Sequence, residues 1–297
     1  MFVVHHQLGH GASLDLCLTS LASAGRPGFA IVQGGGRGCV LKVDAPVAGI
    51  WIPLRGRLQL GGSTSDLLAH PGEVRVTETE PRLRAVGRGS AVWIAVLGTA
   101  PAWRQMLGAL LGPSADPMLL PASHPAGRDL RRGAVALARA AASGAAENAL
   151  DAFLDRIVAL QAQFADAIAR CPGRTYAQRR QVFLRLQRVR NYLAANCHLD
   201  VDNDELARMA SYSPWHFIRA FRAAYEETPH AYLVRMRLEH ARRLLQASPL
   251  AIAEIALASG FENRCAFSRL FRQRFGTTAG AMRKASRAMT PPLPMRA

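Results

Sequence analysis

Arginine is the residue type that carries chemistry in this sequence, and it comes in a repeated frame. Glu205-Leu-Ala207 returns as Glu254-Ile-Ala256 at an offset of 49. Phe217, Arg219, Phe221 and Arg222 return as Phe267, Arg269, Phe271 and Arg272 at an offset of 50. Tyr225 and Thr228 map onto Phe275 and Thr278, and the one-residue slip falls at Glu262, where a turn absorbs it. On helices, phenylalanines four apart share one buried stripe, and Arg219 and Arg269 project about 160–200° away from it. A guanidinium presents a flat fork of donors that suits phosphate oxygens and the two acceptors on the guanine edge. Arg264, just ahead of the second set, carries the same fork, whereas Ile218 offers only apolar contact, for example to a thymine methyl. The chemistry implied is recognition of a polyanion.

Signatures of catalysis are missing. There is no G-x-S-x-G, H-E-x-x-H or Walker A lysine, and Gly34-Gly-Gly-Arg-Gly38 puts Cys39 where a dinucleotide fingerprint needs its third glycine. Between residues 47 and 78 the only histidine is His70, and His5, His6 and His10 cluster without a carboxylate in what reads as a solvated segment. Neither set makes a metal centre. Five scattered cysteines (Cys17, Cys39, Cys171, Cys197 and Cys265) fit neither a disulfide framework nor a C-x-x-C site. No metal, no cofactor and a reducing compartment are expected.

Charge points the same way. The chain has 37 basic and 21 acidic side chains, a net of +16. Residues 1–173 hold 16 basic and 12 acidic groups, and residues 174–297 hold 21 and 9, so +12 of the +16 lies in the last 124 residues. Compositional bias explains arginine over lysine, since only Lys42 and Lys284 are lysines, but it does not explain the asymmetry. Clustered arginines neutralise phosphates and release condensed counterions, so a nucleic acid is the expected partner.

Those arginines need helices to position them, and the local signals supply them. Asp202 followed by Glu205 has capping-box spacing, and Ser213-Pro214 supplies an N-cap and a first-turn proline. In the second copy Gly260 ends a helix in a left-handed conformation and Asn263 caps the next. Each copy is thus a short helix, a turn and a longer helix, with the longer helices at about 213–224 and 263–274. Residues 229–247 form a connecting helix with Tyr232, Leu233, Met236, Leu238, Ala241, Leu244 and Leu245 as its apolar side. At ~1.5 Å per residue it runs about 27 Å, comparable with the ~34 Å between successive major-groove faces.

The N-terminal half reads differently. Apolar runs at 29–33, 39–43, 47–54, 57–60, 73–78, 82–86 and 91–97, punctuated by Gly34-Gly-Gly36, Gly61-Gly62, Pro71-Gly72 and Gly87, predict an antiparallel sandwich or jelly-roll barrel. Trp51 and Trp93 fall in these strands, as core or as pocket lining. Helices follow at 128–143 and 149–169; the second carries the stripe Leu150, Phe153, Leu154, Ile157, Val158, Gln161, Phe164, Ala165 and Ile168, able to pack on the barrel or on a second copy. Cys171-Pro-Gly-Arg-Thr175 breaks the helix and marks the domain boundary. A length of about two domains, 49% hydrophobic and 20% charged residues exclude wholesale disorder. The longest apolar stretch, 91–103, contains Gly98 and Pro101, and residues 1–10 lack a secretory pattern, so no membrane association and a cytoplasmic location are expected.

From residue 182 to 284 the sequence resembles the AraC/XylS transcriptional regulators. The resemblance rests on Glu205-Leu-Ala, Ser213-Pro-Trp-His-Phe-Ile-Arg-Ala-Phe221, Glu227-Thr-Pro229, Ala241-Arg-Arg-Leu-Leu245 and Gly260-Phe-Glu-Asn-Arg-Cys-Ala-Phe-Ser-Arg-Leu-Phe271. The strand-rich half, through Gly49-Ile-Trp-Ile-Pro-Leu-Arg-Gly-Arg57, resembles the cupin-like sensor domains fused to this module. The resemblance implies an α+β, two-domain chain: a cupin-like effector-sensing and dimerisation domain over 1–170, a linker over 171–181, an all-α pair of helix-turn-helix motifs over 182–287, and a flexible tail over 288–297. It implies a sequence-specific regulator of transcription, an effector-responsive activator, that is not an enzyme. Its partners would be double-stranded DNA, a small-molecule effector of unknown identity, RNA polymerase and a second copy of the chain. Bases would be read from Trp215, Ile218 and Arg219 and from Arg264, Cys265, Ser268 and Arg269, with Arg222 and Arg272 beside them. Alternatives are control of the N-terminal domain by a partner protein, or a cupin-type enzyme with a DNA-binding tail. The sequence departs from the family at Glu226, where glycine is usual, at Ala279, where proline is usual, and at Met282, where an aromatic precedes the arginine.

Overall fold

The computed structural model describes residues 2–17, 22–23, 26–62, 66–111 and 119–288. The chain divides into two compact units, Met1–Gln187 and Arg188–Ala297.

The first unit is built on strands β1 (Phe2–Leu8), β2 (Ser13–Cys17), β3 (Ala22–Ser23), β4 (Arg26–Gly36), β5 (Val40–Asp44), β6 (Val47–Gly61), β7 (Asp66–Ala69), β8 (Glu73–Glu80), β9 (Leu83–Thr99) and β10 (Ala122–Pro125). Its main path of neighbours is β1-β4-β9-β6-β8-β10. The expected sheet was antiparallel throughout. Most pairs are, but β1 runs parallel to β4 and β2 parallel to β5. The chain between the paired strands is long enough for the crossover that parallel pairing requires. His5 and His6 lie half-buried within β1, so that part of the expected solvated segment belongs to the sheet, whereas His10 is exposed in the turn after it, its Nδ1 accepting from Arg37 N at 3.2 Å.

Four expected strands are two long ones. Residues 47–54 and 57–60 join in β6, and 82–86 and 91–97 join in β9. The register between them shifts at Pro53/Arg55 and Arg55/Arg57. Gly56 has φ +69°, and a Cβ there would sit 2.8 Å from Ala91 Cα. That is the geometry of a bulge, in which glycine bends a strand without ending it.

The central strands are buried on both faces, which explains their unbroken apolar runs. Phe29, Ile31, Ile50, Ile52, Ile94 and Val96 pack on one side with helices α1 (Ala100–Leu111), α2 (Arg128–Ala142) and α3 (Ala146–Gln161). Ala30, Val32, Trp51, Trp93, Ala95 and Leu97 fill the other side with Leu41, Leu58 and Ala85. Trp51 and Trp93 are fully buried with ring centroids 6.2 Å apart, and Trp51 Nε1 donates to Thr77 Oγ1 at 3.1 Å. The tryptophans are therefore core. The α3 stripe settles the same way: Leu150, Phe153, Leu154 and Ile157 join the core beneath the sheet and are not free to face a second copy. A 3-10 turn (Ala162–Phe164) and α4 (Ala165–Arg170) continue the run to Cys171.

Pro172-Gly173 does end α4, but the compact units divide later than the expected linker at 171–181. Helix α5 (Tyr176–Ala195) begins inside that segment. Its first part belongs with the first unit because Phe183 lies 5.4 Å from Phe164 and Gln187 Nε2 donates to Pro121 O at 2.9 Å. The expected tail lies almost wholly outside the described residues.

The second unit carries α6 (Asn203–Met209), α7 (Pro214–Tyr225), α8 (Pro229–Ala247), α9 (Ile252–Ala258), α10 (Arg264–Phe275) and α11 (Ala279–Ala288). Among the described residues no helix is long and apolar enough to cross a membrane. Each repeat has its own ladder of rings. Phe217, Phe221 and Tyr225 stack at 5.8 and 4.7 Å, and Phe267, Phe271 and Phe275 at 5.4 and 4.6 Å. Around the second ladder close Leu238, Ala241, Leu245, Ile255 and Ala279.

His240 on α8 stacks on His198 at 6.2 Å. Burial, then Arg243, then His198 hold its pKa below the ordinary 6.5. The folded state thus keeps His240 neutral while the unfolded chain takes up the proton. Its contribution to stability is complete above pH 6.5 and is lost as the pH falls below that value toward the folded pKa. Denaturant melts at pH 7.5 and 5.5 should show His240→Gln losing less stability between the two than the parent. Equal losses would remove His240 as a source of acid sensitivity.

Candidate nucleic-acid interface

The two longer helices lie at 214–225 and 264–275, one residue later than the spacing predicts. Their starts are built differently. Asn263 caps α10, its Oδ1 accepting from Cys265 N at 2.8 Å and Ala266 N at 3.1 Å. Ser213 stands at the N-cap of α7 but makes no capping bond; its Oγ lies 2.7 Å from His216 Nδ1 instead. Pro214 lacks a backbone donor, so the uncapped turn has one fewer to satisfy. The shorter helices are capped by Asp202, which accepts from Asp204 N at 3.2 Å, and by Glu254, which accepts from Ala251 N at 2.7 Å.

The turns are superposable in kind. Gly260 has φ +83°, and a Cβ there would meet Arg237 Nε at 2.8 Å. Arg237 is fixed by donating to Cys197 O and Leu199 O at 2.8 and 2.9 Å. At the far ends, Glu226 and Gly276 are both left-handed, with φ of 61° and 70°. Thr228 Oγ1 and Thr278 Oγ1 then accept from Ala231 N and Ala281 N, each at 3.2 Å. Left-handed backbone strains any residue with a Cβ, so Glu226→Gly is expected to stabilise the unit by about 1 kcal/mol in thermal melts. A loss of stability would mean that the contacts of the Glu226 side chain outweigh the strain.

Of the nine residues expected at the interface, eight are exposed and one is half-buried. Trp215 is 63% exposed, Ile218 is half-buried, and Arg219, Arg222, Arg264, Cys265, Ser268, Arg269 and Arg272 are all exposed. The Arg219 guanidinium lies over the Trp215 ring at 5.4 Å, and His216 meets the same ring edge-on at 5.1 Å. His216 is a neighbour the sequence reading missed; its place beside a tryptophan in a first turn was the available signal. Two acids of the unit serve other arginines. Glu227 binds Arg235 at 2.6 Å, and Glu239 binds Arg242 and Arg274 at 2.9 and 3.6 Å. Arg222, Arg264, Arg269 and Arg272 have no side-chain partner among the described residues. Their charge is uncompensated where an anion would meet it.

This repeated arrangement has counterparts among known proteins. The helix-turn-helix domain family matches residues 206–285. The HTH-type transcriptional regulator GlxA of Rhizobium meliloti (strain 1021) is 45% identical over 87 residues, 29% of this chain and 26% of that protein. The probable transcription factor PqrA of Proteus vulgaris is 35% identical over 81 residues, 27% of this chain and 66% of that protein. Residues 206–285 belong to the AraC-type helix-turn-helix family. Among solved structures, a probable AraC family transcriptional regulator from Rhodopseudomonas palustris CGA009 is 28% identical, covering 34% of this chain and 95% of that chain, with a TM-score of 0.33. The AraC-type match lies wholly within the second unit.

Proposed function

We propose that this chain is a sequence-specific DNA-binding regulator of transcription that sets α7 and α10 into successive major-groove faces of one duplex. The observation that carries the reading is the set of unpaired, exposed arginines on the second helices of two capped motifs in an AraC-type domain. Bases are read by Trp215, Ile218, Arg219, Arg264, Cys265, Ser268 and Arg269, while Arg222 and Arg272, a turn further along, hold phosphates. The first unit acts as a cupin-like, jelly-roll sensor of a small-molecule effector and as the dimerising part, and the bound protein activates by engaging RNA polymerase.

Nuclease footprinting of the full-length protein tests this on DNA upstream of its own gene, at physiological salt with excess competitor. Protection of two major-groove faces per chain, about 34 Å apart, is expected. Loss of all protection on adding competitor would reduce the binding to a non-specific grip by the +12 charge of residues 174–297. Sedimentation should give a dimer mass; the monomer mass at every concentration would end that part of the reading.

A further inference from the structure

Helix α2 puts four arginines along one groove of the first unit, and nothing acidic among the described residues answers them. Arg128, Arg132 and Arg139 lie at i, i+4 and i+11 on one stripe, with Arg131 beside them. They line a groove of about 550 Å³ whose remaining lining is apolar: Leu54 from β6, with Val135 and Ala136 of α2 itself. None of the four has an ion-pair partner among the described residues, and the Nε of Arg131 is shut off from solvent with no hydrogen-bond partner. The placement is unfavourable by itself. Like charges three and four apart on a helix repel, and Arg128 and Arg131 stand at the end where the helix dipole is already positive. Gly127 provides no side-chain cap there, and the carboxylate of Asp129 in the first turn forms no ion pair with any of the four among the described residues, while its backbone carbonyl adds a fifth guanidinium to the neighbourhood by receiving Arg156 Nη1 at 3.0 Å. An anion in the groove turns each of these penalties into a gain.

The arrangement along the groove says what kind of anion. Arg132 and Arg139 are separated by seven residues, about 10 Å of helix rise, with Val135 between them. Cations stand at both ends and apolar surface lies in the middle. We propose that the groove binds an organic dicarboxylate whose acid groups are joined by an apolar chain. One carboxylate is held by Arg128, Arg131 and Arg132, the other by Arg139, and the chain lies on Leu54, Val135 and Ala136. Guanidinium forks suit carboxylates, and the apolar floor favours a carbon chain over a bare inorganic anion. The site gives the proposed effector-sensing role a ligand class; it rests on that reading only for its regulatory meaning.

The test is calorimetry on the full-length protein without DNA, at about physiological salt. The probes are suberate, octanoate, 1,8-octanediol and inorganic phosphate. Suberate should bind, octanoate at least about tenfold more weakly, and the diol and phosphate not measurably. Arg139→Gln should bring suberate down to the affinity of octanoate and leave octanoate unchanged. The double variant Arg128→Gln/Arg132→Gln should abolish both. These side chains are exposed, so folding is preserved, as circular dichroism should confirm. Ala136→Glu, which fills the groove with a carboxylate of its own, should also abolish suberate binding. The proposal is overturned if suberate binds no better than phosphate, or if Arg139→Gln leaves suberate affinity intact. Because no DNA is present, either failure leaves the DNA-binding reading standing, and a failed footprint leaves this one standing.

Discussion

Phe271→Ala should destabilise the second unit by about 3–5 kcal/mol, the usual range for emptying a buried aromatic site. Phe271 is fully buried between Phe267 and Phe275, in the cluster that α8, α9, α10 and α11 close around it. The space is walled by the flanking rings and by Leu238, Ala241, Leu245 and Ile255, side chains already packed in the same cluster, so the site refills only in part. Against a typical total of about 5–15 kcal/mol, that loss leaves much of the protein with an unfolded second motif at growth temperature. Denaturant melts followed by circular dichroism would give the shift in midpoint, and footprinting at low temperature would show protection shrinking from the α10 side. Phe221→Ala is the matching change in the first motif, with Phe217, Tyr225 and Tyr232 as its neighbours. A loss under about 1 kcal/mol at Phe271 would mean that the site refills and that the ring ladder is not what holds α10.

Arg269→Ala should leave the fold intact and cost discrimination. A bidentate contact to guanine is worth about 1–3 kcal/mol against the wrong base, roughly 5- to 150-fold in affinity for the preferred site. Binding to unrelated sequences at low salt should persist. Arg272→Ala should behave oppositely, weakening all sequences alike and lowering the slope of log K against log salt by about 1. Competition titrations over a salt series separate the two. If Arg269→Ala weakens every sequence equally, Arg269 is a phosphate contact and the specificity lies with its neighbours.

The helical half was legible because its signals are local. Period-3.6 stripes, Asn263 as a cap and Gly260 as a stop all act within a few residues of where they are written. Even there Ser213 misled, since its hydroxyl found His216 three residues on and not a backbone donor. The strand-rich half hid more, because its structure is decided at a distance. Gly87 looks like a break until the partner strand is present, and then it is a paired residue within β9, opposite Leu58, while the bulge falls at Gly56 within β6. Strands β1 and β2 are recognisable only beside β4 and β5, which they meet in parallel. The arginines of α2 were visible at helical spacing, but Leu54, which makes them a groove, comes from a strand far upstream. The division between the units was concealed by α5, whose pattern continues through it.

The arginines proposed to read DNA hold nothing else together through their side chains. The side chains of Arg264, Arg269, Arg222 and Arg272 make no bond among the described residues, and the Arg219 guanidinium lies over the Trp215 ring. What keeps α7 and α10 in place is on their opposite sides, in Phe217, Phe221, Phe267 and Phe271. Under the proposed reading, operator preference and thermal stability therefore mutate on separate axes. A library randomised at the exposed positions 215, 219, 264, 265, 268 and 269 should consist almost entirely of folded proteins, and selection within it would act on target choice alone. Under the same reading, this domain can change its target promoter without passing through an unfolded intermediate.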